Sequence, residues 1–250
     1  NGYFDNLPQE ASPIEIGNKI TNRFLEQGHS QYGSPLRVNE PRTQITYPDV
    51  CTWLGGLWFA QETDNKDLTE RLKARFEPLF TNEAYLQPKP NHVDNNVFGA
   101  VPLELYLQTG EERYKTLGMM YADSQWELPA NWKLEEGEER QSSMYGDFKD
   151  ADICQPEQKE WDDKGYSWQT RFWLDDMYMI TTIQAQAYRV TNDRKYIDRA
   201  AREMVLYLDS IQQPSGLFYH APTAPFCWGR GNGCCLLYTS PSPRDGLLSR

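Results

Sequence analysis

The chain has 250 residues and a formal net charge of −11, with 39% hydrophobic and 13% aromatic residues. This size and apolar content are enough for one large core, so a single large domain is expected. The acidic balance and the lack of a run of Lys and Arg argue against a nucleic-acid partner, and no apolar run approaches the length of a membrane span. A small or neutral ligand is therefore the expected partner.

The five cysteines are odd in number and lack the CxxC or Cys/His spacing of a zinc site, so neither a disulfide framework nor a metal or other cofactor is expected. No signal-peptide pattern is present. The compartment stays open: periplasmic or secreted if such a peptide has been removed, and otherwise cytoplasmic. The oligomeric state is equally open.

The first elements follow from local signals. Residues 1–12 are polar and are expected to form a loose lead-in. Ser12 and Pro13 suit the cap and first position of a helix. Segment 28–47 is rich in Gly, Ser, Pro and Arg, and should connect this helix to an apolar one over 48–62.

A weak internal repeat consists of three short polar turns that begin with Thr, at 63–68, 109–114 and 191–196. Each turn follows an apolar helix, predicted over 48–62, 94–108 and 172–190. Each precedes an amphipathic, charged helix, predicted over 65–80, 111–126 and 193–212. This pattern indicates stacked helical hairpins with a buried inner layer and an outer layer. Unrelated helices with ordinary turns remain an alternative, because the spacing between repeats is unequal.

The stretch 171–191 sets two adjacent carboxylates at the start of a long apolar helix. An aspartate flanked by Trp173 and Met177 would be partly desolvated, which raises a carboxyl pKa and makes a usable general acid. The alternative is that Asp175 and Asp176 only complement the helix dipole. A similar helix start occurs in the stretch 92–110.

In that stretch Asp94 and Asn95 stand at the helix start, and Pro102 is expected to kink or interrupt the helix. Helix starts would face one rim of a toroid. Segment 127–167, with several tryptophans and few periodic apolar positions, is too long for an idle connection, and we expect a lid or substrate wall. Segment 212–233, rich in Gly and Pro, is expected to be a loop that projects polar and aromatic side chains.

Five motifs resemble glycoside hydrolase family 105, the unsaturated rhamnogalacturonyl hydrolases, which are related to the unsaturated glucuronyl hydrolases of family 88. They stand in the order of that family: TYPDVCTW (46–53), HVDNNVFGAVPLELY (92–106), WLDDMYM (173–179), GLFYH (216–220) and WGRGNG (228–233). The last three are specific when taken together. The resemblance implies an all-α fold, an (α/α)6 barrel of six helical hairpins, of which this chain holds about four.

The family pattern continues after WGRGNG with another Trp and an inner helix, whereas Cys234 stands there in this chain. Residues 234–250 lack a helical period, and LYTSPSPRD within them resembles translated sequencing-adapter sequence. We therefore expect a lead-in over 1–12, a partial catalytic barrel over 13–233 and a non-native tail over 234–250.

The resemblance implies a hydrolase that removes a 4,5-unsaturated uronic acid from the non-reducing end of lyase-generated, pectin-type oligosaccharides. An acid protonates C4, water attacks C5, and the resulting hemiketal opens and releases the neighbouring sugar. By motif position Asp175 would be the acid and then the base. Asp94 would be the second active-site aspartate, whose charge helps to keep the proton on Asp175. Asp176 is expected to support the site or contact the substrate.

Further substrate contacts are expected at six positions: Trp53, Gln169, Trp173, His220, Trp228 and Arg230. Arg230 could pair bidentately with the uronate carboxylate, and Trp228 is the first choice for stacking on a sugar. Each has an alternative, since inner-helix tryptophans are by default core, Gln169 could be an ordinary exposed polar residue and His220 a packed loop residue. Asp94 could be a helix N-cap.

Two rival classes remain. A sugar epimerase of the α/α-barrel kind would need several catalytic histidines, and the chain has only His29, His92 and His220. A non-catalytic carbohydrate-binding fragment would keep the aromatic surface without turnover.

Overall fold

The computed structural model describes residues 8–29, 42–128 and 159–233, and the backbone alone of 133–134, 153–154 and 156–158. These ranges are mostly helical, which confirms the all-α class and agrees with a toroid of helical hairpins. The strands β1 (Lys133–Leu134) and β2 (Ile153–Cys154) pair in parallel. The α-helices are α1 (Pro13–Glu26), α2 (Tyr47–Glu62), α3 (Lys66–Phe76), α4 (Val93–Asn96), α5 (Ala100–Thr109), α6 (Glu112–Ser124), α7 (Pro156–Asp163), α8 (Asp176–Thr191) and α9 (Arg194–Ile211).

The helices pair as predicted into an inner and an outer layer. In each of three hairpins an inner helix packs on the helix that follows it: α2 on α3, α5 on α6, and α8 on α9. The inner helix α5 also packs against both α2 and α8, so these three form a continuous layer. Ten of the sixteen residues of α8 are buried, against five of the eighteen in its partner α9. The expected difference in burial is confirmed.

The three Thr-initiated turns share one backbone geometry. In each turn the residue after the threonine has a left-handed backbone, which reverses the chain: Asp64 (φ 48°), Gly110 (φ 75°) and Asn192 (φ 56°). Each threonine hydroxyl donates to the carbonyl four residues earlier at 2.7 Å: Thr63 to Phe59, Thr109 to Leu105 and Thr191 to Ala187. Each hydroxyl therefore adds a second donor to a carbonyl in the last turn of its helix.

The second inner helix is interrupted near Pro102, as predicted. The first turn, α4, ends at Asn96, and a 3₁₀ turn over Val97–Gly99 joins it to α5. A proline lacks the N–H for the bond to the carbonyl four residues earlier, and its ring crowds that carbonyl. Pro102 is therefore accommodated in the first turn of α5, where that bond is not required.

The buried carboxylate of Glu104 joins the three inner helices. Its oxygen Oε2 accepts from Trp58 Nε1 on α2 at 3.0 Å, and from Gln186 Nε2 and Arg189 on α8 at 2.6 Å each. Gln108 Nε2 donates to Oε1 at 2.9 Å. Burial opposes ionisation of this carboxyl, but these donors outweigh it and lower the pKa of Glu104.

Two glycines allow the middle hairpin to close. A Cβ on Gly118 of α6 would lie 2.5 Å from Leu103 Cγ and 2.8 Å from the carbonyl oxygen of Gly99. A Cβ on Gly99 would lie 2.5 Å from Tyr121 Cβ. Only a residue without a side chain permits this approach of the two backbones.

Two predicted boundaries are wrong. The third inner helix begins at Asp176 and not at residue 172, because Phe172 has a left-handed backbone, with φ 61°, and a helix cannot run through it. The segment 212–233 is not a loop throughout, since residues 229–233 are helical.

Several expectations fall outside the described residues. They concern the first seven residues of the lead-in, most of the predicted lid or wall, and residues 234–250. In the part of the chain that the structure describes, helices that combine enough length and hydropathy to span a bilayer are absent.

The substitution Gly118→Ala is expected to destabilise the protein by about 1–3 kcal/mol, because the new methyl group must displace backbone as well as Leu103. Urea unfolding measures this. Gly55→Ala is the matched control, since this exposed helical glycine has no atom within 4 Å of its would-be Cβ. The control should gain about 0.5–1 kcal/mol from helix propensity. Equal effects of both substitutions would contradict the close approach.

Candidate active site

The first residues of three inner-layer segments converge at one end of the molecule, here called the site end. Tyr47 begins α2, Asp94 is the second residue of α4, and Asp175 directly precedes α8. Arg230, from residues 229–233, lies at the same end, with an Nη1 to Asp175 Oδ1 distance of 3.5 Å, and its charge acts on the Tyr47 phenol. Burial raises the pKa of the Tyr47 phenol, and the Arg230 charge opposes that rise.

Asp175 lies at the start of α8 with its carboxyl group directed at charged and aromatic neighbours. It occupies the N-cap position of α8, yet its side chain makes no capping hydrogen bond. The side chain keeps 15% of its surface exposed and faces Arg230 and His220, whose Nδ1 lies 3.9 Å from Oδ2.

Asp176, the neighbour of Asp175, is a buried anchor. Its side chain has no exposed surface and accepts from Arg171, with Nε at 3.0 and 3.1 Å from the two oxygens. It also accepts from Tyr207 Oη at 3.0 Å and from Trp173 N at 3.3 Å. Burial raises the pKa of Asp176 while the contacts with Arg171 and Tyr207 oppose the rise. The carboxylate is enclosed by protein, which agrees with the supporting role that the sequence analysis allowed for Asp176.

The outer helix α9 holds the loop that presents Asp175. Tyr207 Oη accepts from the backbone N–H groups of Arg171 and Phe172 at 3.4 and 3.3 Å. One turn earlier, Glu203 accepts from Ser167 N at 2.6 Å and from the Thr170 hydroxyl at 3.1 Å. These bonds stabilise the left-handed backbone of Phe172, which would otherwise be costly for a bulky residue.

The pKa of the Asp94 carboxyl group is raised toward neutral pH. Its side chain is 34% exposed and contacts Arg171 Nη2 at 3.3 Å. Burial raises the pKa of Asp94 to about 6, against the lowering effect of Arg171, and the nearby charges of Asp176 and Asp175 add to the rise. The N-cap of α4 is His92, so the alternative reading of Asp94 as the cap is excluded.

Aromatic side chains form a wall beside Asp175. The ring of His220 meets Trp173 edge-on, with centroids 4.9 Å apart, and Trp228 at 5.0 Å. The guanidinium carbon of Arg230 lies 3.8 Å from the Trp228 ring centroid, a cation–π contact. His220 Nδ1 is buried and has no hydrogen-bond partner among the described residues. Carboxylate, cation and aromatic faces thus share one surface.

The comparison with protein families decides the assignment. The model of glycosyl hydrolase family 88 matches residues 16–238, which is most of the chain. The chain belongs to glycosyl hydrolase family 88. A search of curated proteins returns no significant match. The family match passes Gly233, the predicted end of the barrel segment, by five residues.

As a family 88 member the protein is a glycoside hydrolase. Two of the residues expected to contact the substrate, Trp53 and Gln169, do not lie on the surface around Asp175. Trp53 is fully buried, packs edge-on against Phe24 with centroids 5.5 Å apart, and donates through Nε1 to Leu72 O. Gln169 is 3% exposed, and its Nε2 donates to Asn96 Oδ1 at 3.1 Å. Both side chains face the packed interior. Trp53 thus occupies the core position that was its alternative, and Gln169 is buried rather than an exposed polar residue.

The sequence reasoning missed three residues of this family 88 site. Arg171 and His92 lie within the stretches 171–191 and 92–110, which the sequence analysis selected for their aspartates. Sequence spacing does not indicate that a residue just before a helix contacts the carboxylates at the start of that helix. Tyr47 stands inside the TYPDVCTW motif, which offered the only available signal.

Glu203 predicts a pH dependence of stability. Burial raises its pKa from 4.5 to about 7, so between these values the unfolded chain binds fewer protons than the folded one. Stability is then fully present below about pH 4.5 and is lost as the pH rises through 7, by up to about 3 kcal/mol. Urea unfolding of the wild type and of Glu203→Gln at pH 5 and pH 8 measures it.

Glu203→Gln should show a smaller loss than the wild type because its amide does not ionise. The raised pKa of Asp94 adds a loss that both proteins share. Glu70→Gln, at an exposed position with 68% of the side chain accessible, should retain the full wild-type loss. A wild-type slope that persists in Glu203→Gln would assign the effect to another group.

Proposed function

We propose that this family 88 hydrolase removes a 4,5-unsaturated uronic acid from the non-reducing end of lyase-generated rhamnogalacturonan oligosaccharides. The observation that carries the proposal is the surface around Asp175. A partly exposed carboxyl group there faces an Arg at 3.5 Å and lies beside a His with aromatic rings on both sides. The motif resemblance to the unsaturated rhamnogalacturonyl hydrolases supports the choice of sugar.

The reaction is a hydration of the enol ether. Asp175 delivers its proton to C4, and a water molecule adds to C5 while the carboxylate takes up the proton that the water loses. The hemiketal at C5 then opens, and the hemiacetal left at C1 releases the neighbouring sugar. One carboxyl group serves as acid and then as base, unlike the two-carboxylate scheme of most glycosidases.

Arg230 would recognise the carboxylate of the uronic acid. Its side chain is 46% exposed and is oriented by Trp228, so the guanidinium is available and partly pre-organised. Asp175 lies 3.5 Å from the same guanidinium, so a uronate bound there would lie beside the acid.

Asp94 would act as the second carboxyl group. Because its pKa is about 6, it is an anion at neutral pH and holds a proton in mildly acidic solution. As an anion it disfavours a second negative charge nearby, which supports a proton on Asp175.

Asp175→Asn is expected to abolish hydration while substrate still binds. Asn keeps the size of a protonated Asp but cannot deliver a proton, and loss of a general acid costs about a hundred- to ten-thousand-fold in rate. The decrease in ultraviolet absorbance of the conjugated double bond reports turnover, and calorimetry reports binding. Unsaturated galacturonyl-rhamnose and an unsaturated glucuronyl disaccharide should be compared.

The control Asp176→Asn should instead lower the melting temperature, since Asp176 is fully buried. Near wild-type turnover by Asp175→Asn, together with a folded but inactive Asp176→Asn, would reverse the assignment. Binding by the wild-type protein without any turnover would favour the carbohydrate-binding alternative.

Arg230→Ala is expected to raise KM strongly with little effect on the melting temperature, because the side chain is half exposed and supports no core. The loss of a charge-assisted pair should cost about ten- to a hundred-fold in kcat/KM. A substrate whose uronic acid is methyl-esterified provides the matched test. Esterification should impair the wild type but leave the variant unaffected, and equal sensitivity in both would remove Arg230 from carboxylate recognition.

A further inference from the structure

One guanidinium connects the two inner-layer segments that carry the site carboxylates. Arg171 precedes α8 and contacts Asp176 on that helix, with Nη2 at 2.9 Å from Oδ1. The same Nη2 lies 3.3 Å from Asp94 Oδ1 at the start of α4. Nη1 lies 2.8 Å from His92 Nε2, and the guanidinium carbon lies 5.0 Å from the Trp173 ring centroid. The fork thus contacts two carboxylates, an imidazole and an aromatic ring, and 29% of the side-chain surface stays exposed.

His92 contacts both Arg171 and the start of α4. Its Nδ1 accepts from the backbone N–H of Asp94 at 3.2 Å, and its Nε2 lies 2.8 Å from Arg171 Nη1. Burial lowers the pKa of His92 well below its usual value, and the Arg171 charge lowers it further. His92 is therefore neutral and adds no charge beside Asp94.

We propose that Arg171 is a positioning residue, which fixes the Asp94 carboxylate against the buried Asp176 anchor and keeps Asp94 ionised for catalysis. The inference rests on the proposed hydration reaction, in which Asp94 acts as an anion. Arg171 acts through Asp94 and the loop before α8, and Arg230 remains the residue that meets the substrate carboxylate.

The charge balance explains why a single cation matters here. Burial favours the neutral form of Asp94, and two other carboxylates act in the same direction. The charged and titratable groups around Asp94 are Arg171, Asp176, Asp175, Arg230, Tyr47 and the neutral His92. Removal of Arg171 would leave mainly Arg230 to support ionisation, so the proton would stay on Asp94 to higher pH.

The test compares Arg171→Gln, Arg171→Lys and Arg194→Gln. The last removes a cation whose side chain is 82% exposed on α9 and serves as the matched control. Two measurements are made: the pH profile of kcat/KM on an unsaturated galacturonyl disaccharide, and the titration of the Asp94 carboxyl carbon by NMR. The second requires no turnover, so it is independent of the proposed function.

In Arg171→Gln the acidic limb of the profile and the Asp94 titration should both move up by at least about one pH unit. kcat should fall about a hundred-fold with KM changed by less than about three-fold, as expected for displaced catalytic groups. Arg171→Lys should return the limb toward its wild-type position but not restore kcat, since a point charge lacks the fork. Arg194→Gln should match the wild type.

An Asp94 titration that is unchanged in Arg171→Gln would overturn the inference, and so would wild-type kcat in Arg171→Lys. If Arg171→Gln does not fold, Arg171→Lys decides alone: unchanged kcat refutes the role, and a selective fall in kcat supports it. Absence of turnover in the wild type would refute the proposed function instead, while the NMR titration still decides whether Arg171 controls Asp94.

Discussion

The interaction on which the rest of the structure depends is the hydrogen-bonded carboxylate of Glu104. It lies on α5 and accepts from both α2 and α8, so the three inner helices keep a common register. Removal of Arg189 would leave this buried carboxylate without its cation, which is more costly than the loss of a surface ion pair. Each inner segment carries a site residue about three turns before its contact in this cluster: Tyr47 before Trp58, Asp94 before Glu104, and Asp175 before Gln186.

The site at the other end of these helices depends on the outer layer. Glu203 and Tyr207 of α9 hold the backbone of the loop that precedes α8, and Tyr207 also holds Asp176. Burial raises the pKa of Glu203 to about 7, and this carboxyl becomes a stability cost when it ionises. The protein thus keeps the buried carboxyl group of Glu203 beside the loop in which Phe172 has a left-handed backbone. Such locally unfavourable features are expected at functional sites.

Much of the architecture follows from local patterns. The three Thr-initiated turns could be read from sequence because a left-handed residue after a helix and a threonine hydroxyl at the helix end are local features. Asp175 could be selected only through its motif. Which of two adjacent aspartates faces the site depends on the left-handed backbone at Phe172, and a bulky aromatic residue gives no local sign of that conformation. Gln169 and Trp53 are buried for the same kind of reason, since their surroundings come from distant segments.

The sequence by itself determined the layers, the hairpins and the acid candidate, because hydrophobic period, turn chemistry and short motifs act within a few residues. Only the tertiary structure decided that Asp176 is an anchor, that Arg171 joins α4 to α8, and that burial brings the pKa of Asp94 to about 6. The physical reason is that burial and charge pairing are properties of the space around a side chain. Residues 77 positions apart in the chain, Asp94 and Arg171, share that space only after the helices have packed.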